Sequence, residues 1–197
     1  STAPSANPGQ QIGIAVPFNP ALARATFQVT TNGGNLTTQT VNAFRFDTDR
    51  GIAYFLVPLG AVTGDCVVSS SDGATFDDGT FPLQILPLIT GVNIESVAAD
   101  GLSAQVLISG VGFFDGAGSR YRFGTEEVSD SSNSTGPDVF GRNDSVLGSL
   151  PNGYVRLTIP LSAGAFGAIS VSTAGGTSAA YTVSLASITG VAFSGTP

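Results

Sequence analysis

The 197-residue chain has no histidine, lysine, methionine or tryptophan, and it has a single cysteine. Without histidine, neither a Ser–His–Asp triad nor a Cys–His pair can be built, and without lysine a Ser–Lys dyad is also excluded. Zinc would have to make do with carboxylates, because its usual nitrogen and sulfur donors are missing or solitary. Cys66 has no partner for an intramolecular disulfide, and in the strand-like "DCVVS" it reads as a buried, inert thiol. A Lys–Asn or Lys–Asp isopeptide staple is equally out of reach. Charge is scarce as well, at 11% of residues against a usual share of about 25%. All seven basic residues are arginines, scattered as Arg24, Arg45, Arg50, Arg120, Arg122, Arg142 and Arg156, and the net charge is −7. Binding to nucleic acid or to an anionic membrane needs clustered positive charge, so both are disfavoured. No apolar run approaches the roughly 18 residues of a membrane-spanning helix.

What the chain has in quantity is glycine, 26 in all, together with 11 prolines, many Ser and Thr, and a 42% hydrophobic share. That is the composition of short strands and frequent turns, and no long 3.6-residue apolar stripe interrupts it. The predicted class is all-β.

One stretch occurs twice. "YFLVPLGAVTGDCVVSSSDGATFDDGTFPLQILPLITGV" (Tyr54–Val92) is echoed by "YVRLTIPLSAGAFGAISVSTAGGTSAAYTVSLASITGV" (Tyr154–Val191). Both copies begin with an alternating run to Pro-Leu (Pro58-Leu59, Pro160-Leu161), pass through glycine turns and close on Ile-Thr-Gly-Val. The offset of about one hundred residues is the size of one immunoglobulin-like β-sandwich. The expected architecture is therefore two tandem antiparallel β-sandwiches. Residues 1–10 read as a Pro/Ser/Ala-rich flexible leader or donor strand, 11–88 as the first domain, 89–187 as the second, and 188–197 as an orphan strand or the start of a next repeat.

In the first domain the expected strands are Gln11–Phe18, Ala25–Thr31, Val41–Thr48 and Ile52–Leu59, then "GDCVVSS" and "TFPLQILPL". In the second they are Ile89–Val97, Ser103–Phe114 and Ser119–Val128. From Phe123 to Tyr154 the second copy spans 31 positions, where Phe46 to Tyr54 spans 8. The extra residues fall within Ser129–Gly153, whose Ser/Asn/Gly/Asp content predicts a long loop, either functional or disordered. Phe140 and Arg142 are its candidate contact residues.

"VLISGVGFF", "YRFG", "VRLTIPL" and "GAISVSTAGGTSAAYTV" together resemble the IPT/TIG subclass of immunoglobulin-like domains. The features are Gly110-Val111-Gly112-Phe113, the Phe123-Gly124 pair, a strand closing on Pro160, and the spacing of Val171, Gly175, Gly176 and Ser178. The resemblance covers about 89–183, and the first domain is a degenerate copy without the Gly-x-x-Phe and Phe-Gly pairs. It implies the fold and a place among spacers of surface adhesins, accessory modules of secreted hydrolases or receptor domains, but no single function.

Carboxylates are the remaining candidates for chemistry. Asp47 and Asp49 in "DTDRG", Asp72, Asp77 and Asp78 in "DGATFDDG", and Glu126, Glu127 and Asp130 could each contribute oxygen ligands to Ca²⁺. The competing reading is that aspartate favours turns for its local backbone hydrogen bonds. No other cofactor is implied. Glycosylation sequons begin at Asn35, Asn133 and Asn143. The closing "ITGVAFSGTP" repeats the opening strand of the second domain, with Ile188, Val191 and Phe193 as its apolar contacts. It begins a further repeat, donates a strand to a neighbour or folds back. The expectation is a non-enzymatic extracellular or cell-surface structural protein, a spacer or self-assembling filament subunit whose partner is itself or adjoining repeats. The second expectation is a module that binds carbohydrate or a surface protein.

Overall fold

The computed structural model describes residues 3–30, 35–73, 79–116, 118–132, 134–144, 148–165 and 167–182. The described residues form an all-β sandwich fold with no α-helix among them. In chain order the strands are β1 (Ser5–Ala6), β2 (Gln11–Ala15), β3 (Ala23–Thr30), β4 (Leu36–Asn42), β5 (Arg45–Asp47), β6 (Ile52–Leu56), β7 (Gly64–Ser70) and β8 (Thr80–Ile85). They continue with β9 (Leu88–Val97), β10 (Ser103–Val111), β11 (Arg120–Phe123), β12 (Glu126–Ser129), β13 (Asp138–Asp144), β14 (Gly148–Pro160), β15 (Ile169–Thr173) and β16 (Gly176–Thr177). Short 3₁₀ turns occupy Pro20–Leu22 and Ala163–Ala165. Asn19 caps the first of them by accepting from the Ala21 N–H at 3.1 Å.

The strands make four sheets, ordered β1-β8-β7-β3-β4, β2-β6-β5, β13-β14-β10-β9 and β12-β11-β15-β16. Two hydrophobic cores form between them. The first joins Ala25, Phe27, Cys66, Val68 and Leu83 of the five-stranded sheet to Ala53 and Phe55 of the three-stranded one. The second joins Val106, Ile108, Val155 and Leu157 of one sheet to Tyr121, Phe123, Ile169 and Val171 of the other. The period-2 alternation explains both: in β3, Ala23, Ala25, Phe27 and Val29 point inward while Arg24 points to solvent.

The motif residues of the second half have identifiable physical duties. A Cβ on Gly110 would overlap the Phe113 ring and the Leu88 carbonyl, so glycine there lets the aromatic fold back across its own strand. Ser178 Oγ accepts from the Val171 N–H at 3.1 Å and donates to the Ala179 carbonyl at 2.9 Å, fastening the β15–β16 hairpin. A Cβ on Gly175 would overlap Thr63 Oγ1 and the Ile85 carbonyl. Bare backbone there permits a close approach between residues of the two halves.

Three expectations need correction. Residues 3–10 are not a flexible leader: β1 pairs in parallel with β8 of its own chain, Ser5 opposite Gln84 and Ala6 opposite Ile85. Ala6 is 2% exposed, Asn7 Nδ2 donates to the Leu86 carbonyl, and the Gly9 N–H donates to Val57. This pairing uses backbone groups, which Pro/Ser/Ala composition does not register. The single strand expected at Val41–Thr48 is split, β4 and β5 belonging to different sheets. The long loop expected over 129–153 is largely β structure, because β13 pairs with an extended β14 from Asp138↔Arg156 to Asp144↔Gly148. Val139 is buried in the second core and gives the segment its hold. An irregularity lies between Phe140 and Arg142, where β14 carries the extra residues; Asn152 adopts φ 52° there.

Candidate functional sites

The carboxylates singled out by spacing are mostly occupied locally. Asp47 Oδ1 accepts from the Arg50 N–H at 3.1 Å, and its Oδ2 lies 3.9 Å from Arg50 Nε. Asp49 shares that turn, and Asp72 sits exposed in the turn after β7. Asp77 and Asp78 lie outside the described residues. The Glu126, Glu127 and Asp130 group is dispersed. Glu126 accepts from Ser162 Oγ at 2.6 Å, Glu127 lies 3.6 Å from Arg120, and Asp130 turns inward. Among the described residues, no three His, Cys, Asp or Glu side chains converge as a metal cage.

Asn35 is exposed just ahead of β4, Asn143 lies in β13 opposite Ser149, and Asn133 is outside the described residues. Ile188, Val191 and Phe193 also fall outside them. Arg142 stands opposite Leu150 in the β13–β14 register.

Phe140 is brought into a constellation. Its β14 register partner is Tyr154, with ring centroids 5.7 Å apart and tilted by 32°. The Arg156 guanidinium lies 5.4 Å from the Phe140 centroid and reaches across β10 to Glu95 of β9. That ion pair is bidentate, with Nε–Oε2 at 2.5 Å and Nη2–Oε1 at 3.0 Å. The bond from Arg156 is the largest influence on the Glu95 carboxyl, which it holds below its ordinary range, while Glu95 raises Arg156. Arg156, Phe140, Asp138, Gln105, Pro137 and Thr158 border an open groove of about 490 Å³ on this outer sheet face. The first half repeats the theme, with Arg45 standing 4.0 Å from the ring centroid of Tyr54, its own register partner. Phe44 and Phe46 are exposed nearby. Outward alternation in "YVRLT" signals Tyr154 and Arg156, but nothing in the sequence joins them to Glu95.

Another group went unforeseen. Asp115 and Asp130 are both buried, and Tyr121, wholly buried in β11, feels the charge of each. Asp130 accepts from the Gly116 N–H at 3.0 Å and the Ser132 N–H at 3.1 Å. Burial first, and then the charge of Asp130, raise the Asp115 carboxyl above its ordinary range.

In comparison with known proteins, the chain matches no protein-family model and no curated protein sequence.

Proposed function

We propose that this chain is a non-enzymatic, extracellular structural protein built from tandem IPT/TIG-type immunoglobulin-like units, acting as a spacer or a self-assembling subunit that engages the next unit through Ile188–Pro197. The observation that carries the reading is the behaviour of the first Ile-Thr-Gly-Val. Ile89–Val92 lies in β9, pairs with β10 from Ile89↔Gly110 to Val92↔Ile108, and sends Ile89 into the second core. Those four residues lie in the first half of β9, and the same four recur at Ile188–Val191. The edge of β9 gives further support. Ile94 and Val97 stand opposite Val106 and Ala104, on the core-facing side, yet are 60% and 55% exposed. An apolar edge strand of this kind suits pairing with another chain or repeat.

The experiment is negative-stain electron microscopy with mass photometry on the full chain and on a truncation lacking Ile188–Pro197. Filaments or defined oligomers that disappear with the truncation support assembly, and rods unchanged by it reduce the reading to a spacer. The second reading, a module that binds carbohydrate or protein, is favoured by the Phe140–Tyr154–Arg156 face and its groove. Capture of a glycan or surface protein that is lost in Phe140→Ala, by a chain that stays monomeric, would replace the structural reading with this one.

A further inference from the structure

Four buried side-chain oxygens among the described residues have no hydrogen-bond partner, and three of them belong to one end of the second core. They are Asp115 Oδ1, Tyr121 Oη and Asn152 Oδ1, of which Tyr121 is itself a core residue while Asp115 and Asn152 reach that core through Phe113, by sequence and by hydrogen bond respectively; the fourth, Ser70 Oγ, belongs to β7. Asp115 is 5% exposed and Tyr121 is 0% exposed, so bulk solvent reaches neither. Asn152 is anchored beside them, its Nδ2 donating to the carbonyl of Phe113 at 3.3 Å, two residues before Asp115. Asp130 adjoins Asp115 through the next residue, one of its oxygens accepting from the Gly116 N–H and the other from the Ser132 N–H.

From this arrangement we infer that Asp115, Asp130 and Tyr121 frame an internal oxygen-lined site for a divalent cation, with Ca²⁺ as the natural occupant. Burying two neighbouring carboxylates without a counter-charge is costly, and Asp138 adds a third negative charge to the surroundings of Asp115. No arginine pairs with either buried acid among the salt bridges of the described residues. A single proton would neutralise one carboxylate. A divalent cation offsets both and gives Asp115 Oδ1 and Tyr121 Oη a partner at once. All the donors are oxygens, the set that hard cations select, and calcium accepts irregular shells of 6–8 oxygens at about 2.3–2.6 Å. Only two carboxylates contribute, which places the site with weak extracellular modules, at about 10⁻⁴–10⁻³ M. The bound ion would tie the Phe113–Ser119 segment to the start of the insertion that leads into β13.

The chain's own chemistry supplies the assay, because it has four tyrosines and no tryptophan. Terbium(III) added to the metal-free protein is excited through tyrosine. Emission that Ca²⁺ competes away, that is lost in Tyr121→Phe and retained in Tyr154→Phe, is the expected result. Asp115→Asn should weaken terbium binding about tenfold or more, since one charged ligand is removed. It should also abolish a rise in Tm on adding CaCl₂. Because that variant could fold poorly, Asp130→Asn and circular dichroism of each variant accompany it. Emission indifferent to Asp115→Asn and Tyr121→Phe overturns the site. So does a Tm that ignores Ca²⁺ but rises on acidification in wild type and not in Asp115→Asn, which would identify a proton as the occupant.

Discussion

Val68 and Val106 allow a paired test of whether the two cores are energetically separate. Val68 lies in β7 within the first core and Val106 in β10 within the second, each almost completely buried. Val→Ala at either site removes two methyl groups, worth about 1.6 kcal/mol at roughly 0.8 kcal/mol per buried carbon. The cavity left behind raises the cost to about 2–3 kcal/mol. For a cooperative unit of 60–100 residues, each 1 kcal/mol moves Tm by about 4–8 °C, so a displacement of roughly 8–24 °C is expected. Differential scanning calorimetry of wild type should show two transitions. Val68→Ala should lower one of them and Val106→Ala the other, each leaving its counterpart close to its original temperature. A single transition moved by both substitutions would refute the separation and show that the contact near Gly175, Thr63 and Ile85 fuses the halves into one cooperative unit.

Cys66 should resist a disulfide reagent at about pH 8 in the native chain and react at once after unfolding. Burial pushes its thiol up to about 12 from 9.0. The stability it contributes is complete below 9.0 and is lost as pH rises toward 12, because the unfolded thiol ionises first. Prompt native labelling would contradict the buried placement. Glu95 should titrate below an ordinary glutamate in a carboxyl NMR experiment and return upward in Arg156→Gln, since the Arg156 bond is the largest cause of its shift. An unchanged Glu95 in that variant would dissolve the bridge across β10.

Much of the fold was legible because it rests on local pattern. The alternation in "ATFQV" and "AQVLI" placed Phe27, Val29, Val106 and Ile108 in the cores, and Gly110, Gly175 and Gly176 sit where a side chain would collide. What stayed hidden depends on pairing at a distance. Ser5 and Ala6 carry no strand signature, and their partners are backbone groups some eighty residues away. Asp130 was grouped with Glu126 and Glu127 by proximity in sequence, but β12 turns those two to other partners while Asp130 goes inward toward Gly116. Asp115 had no neighbouring acid to draw notice. It acquires one only when the insertion closes over it.

The insertion also shows why composition misleads about function. A Ser/Asn/Gly-rich segment of this length reads as a long loop, functional or disordered, laid over a finished sandwich. Here Val139 is buried with Val155 and Leu157, and Asp130 fastens the segment's start to Gly116, so it completes the second core. Its outward residue, Phe140, meets Tyr154 and Arg156 on a sheet face rather than at a loop tip. A rigid face of that kind presents side chains at strand spacing, with the Glu95–Arg156 bridge holding the guanidinium against two strands. Any partner of this surface would therefore meet a pre-ordered array, and loss of Arg156 should loosen its geometry before it disturbs the core beneath.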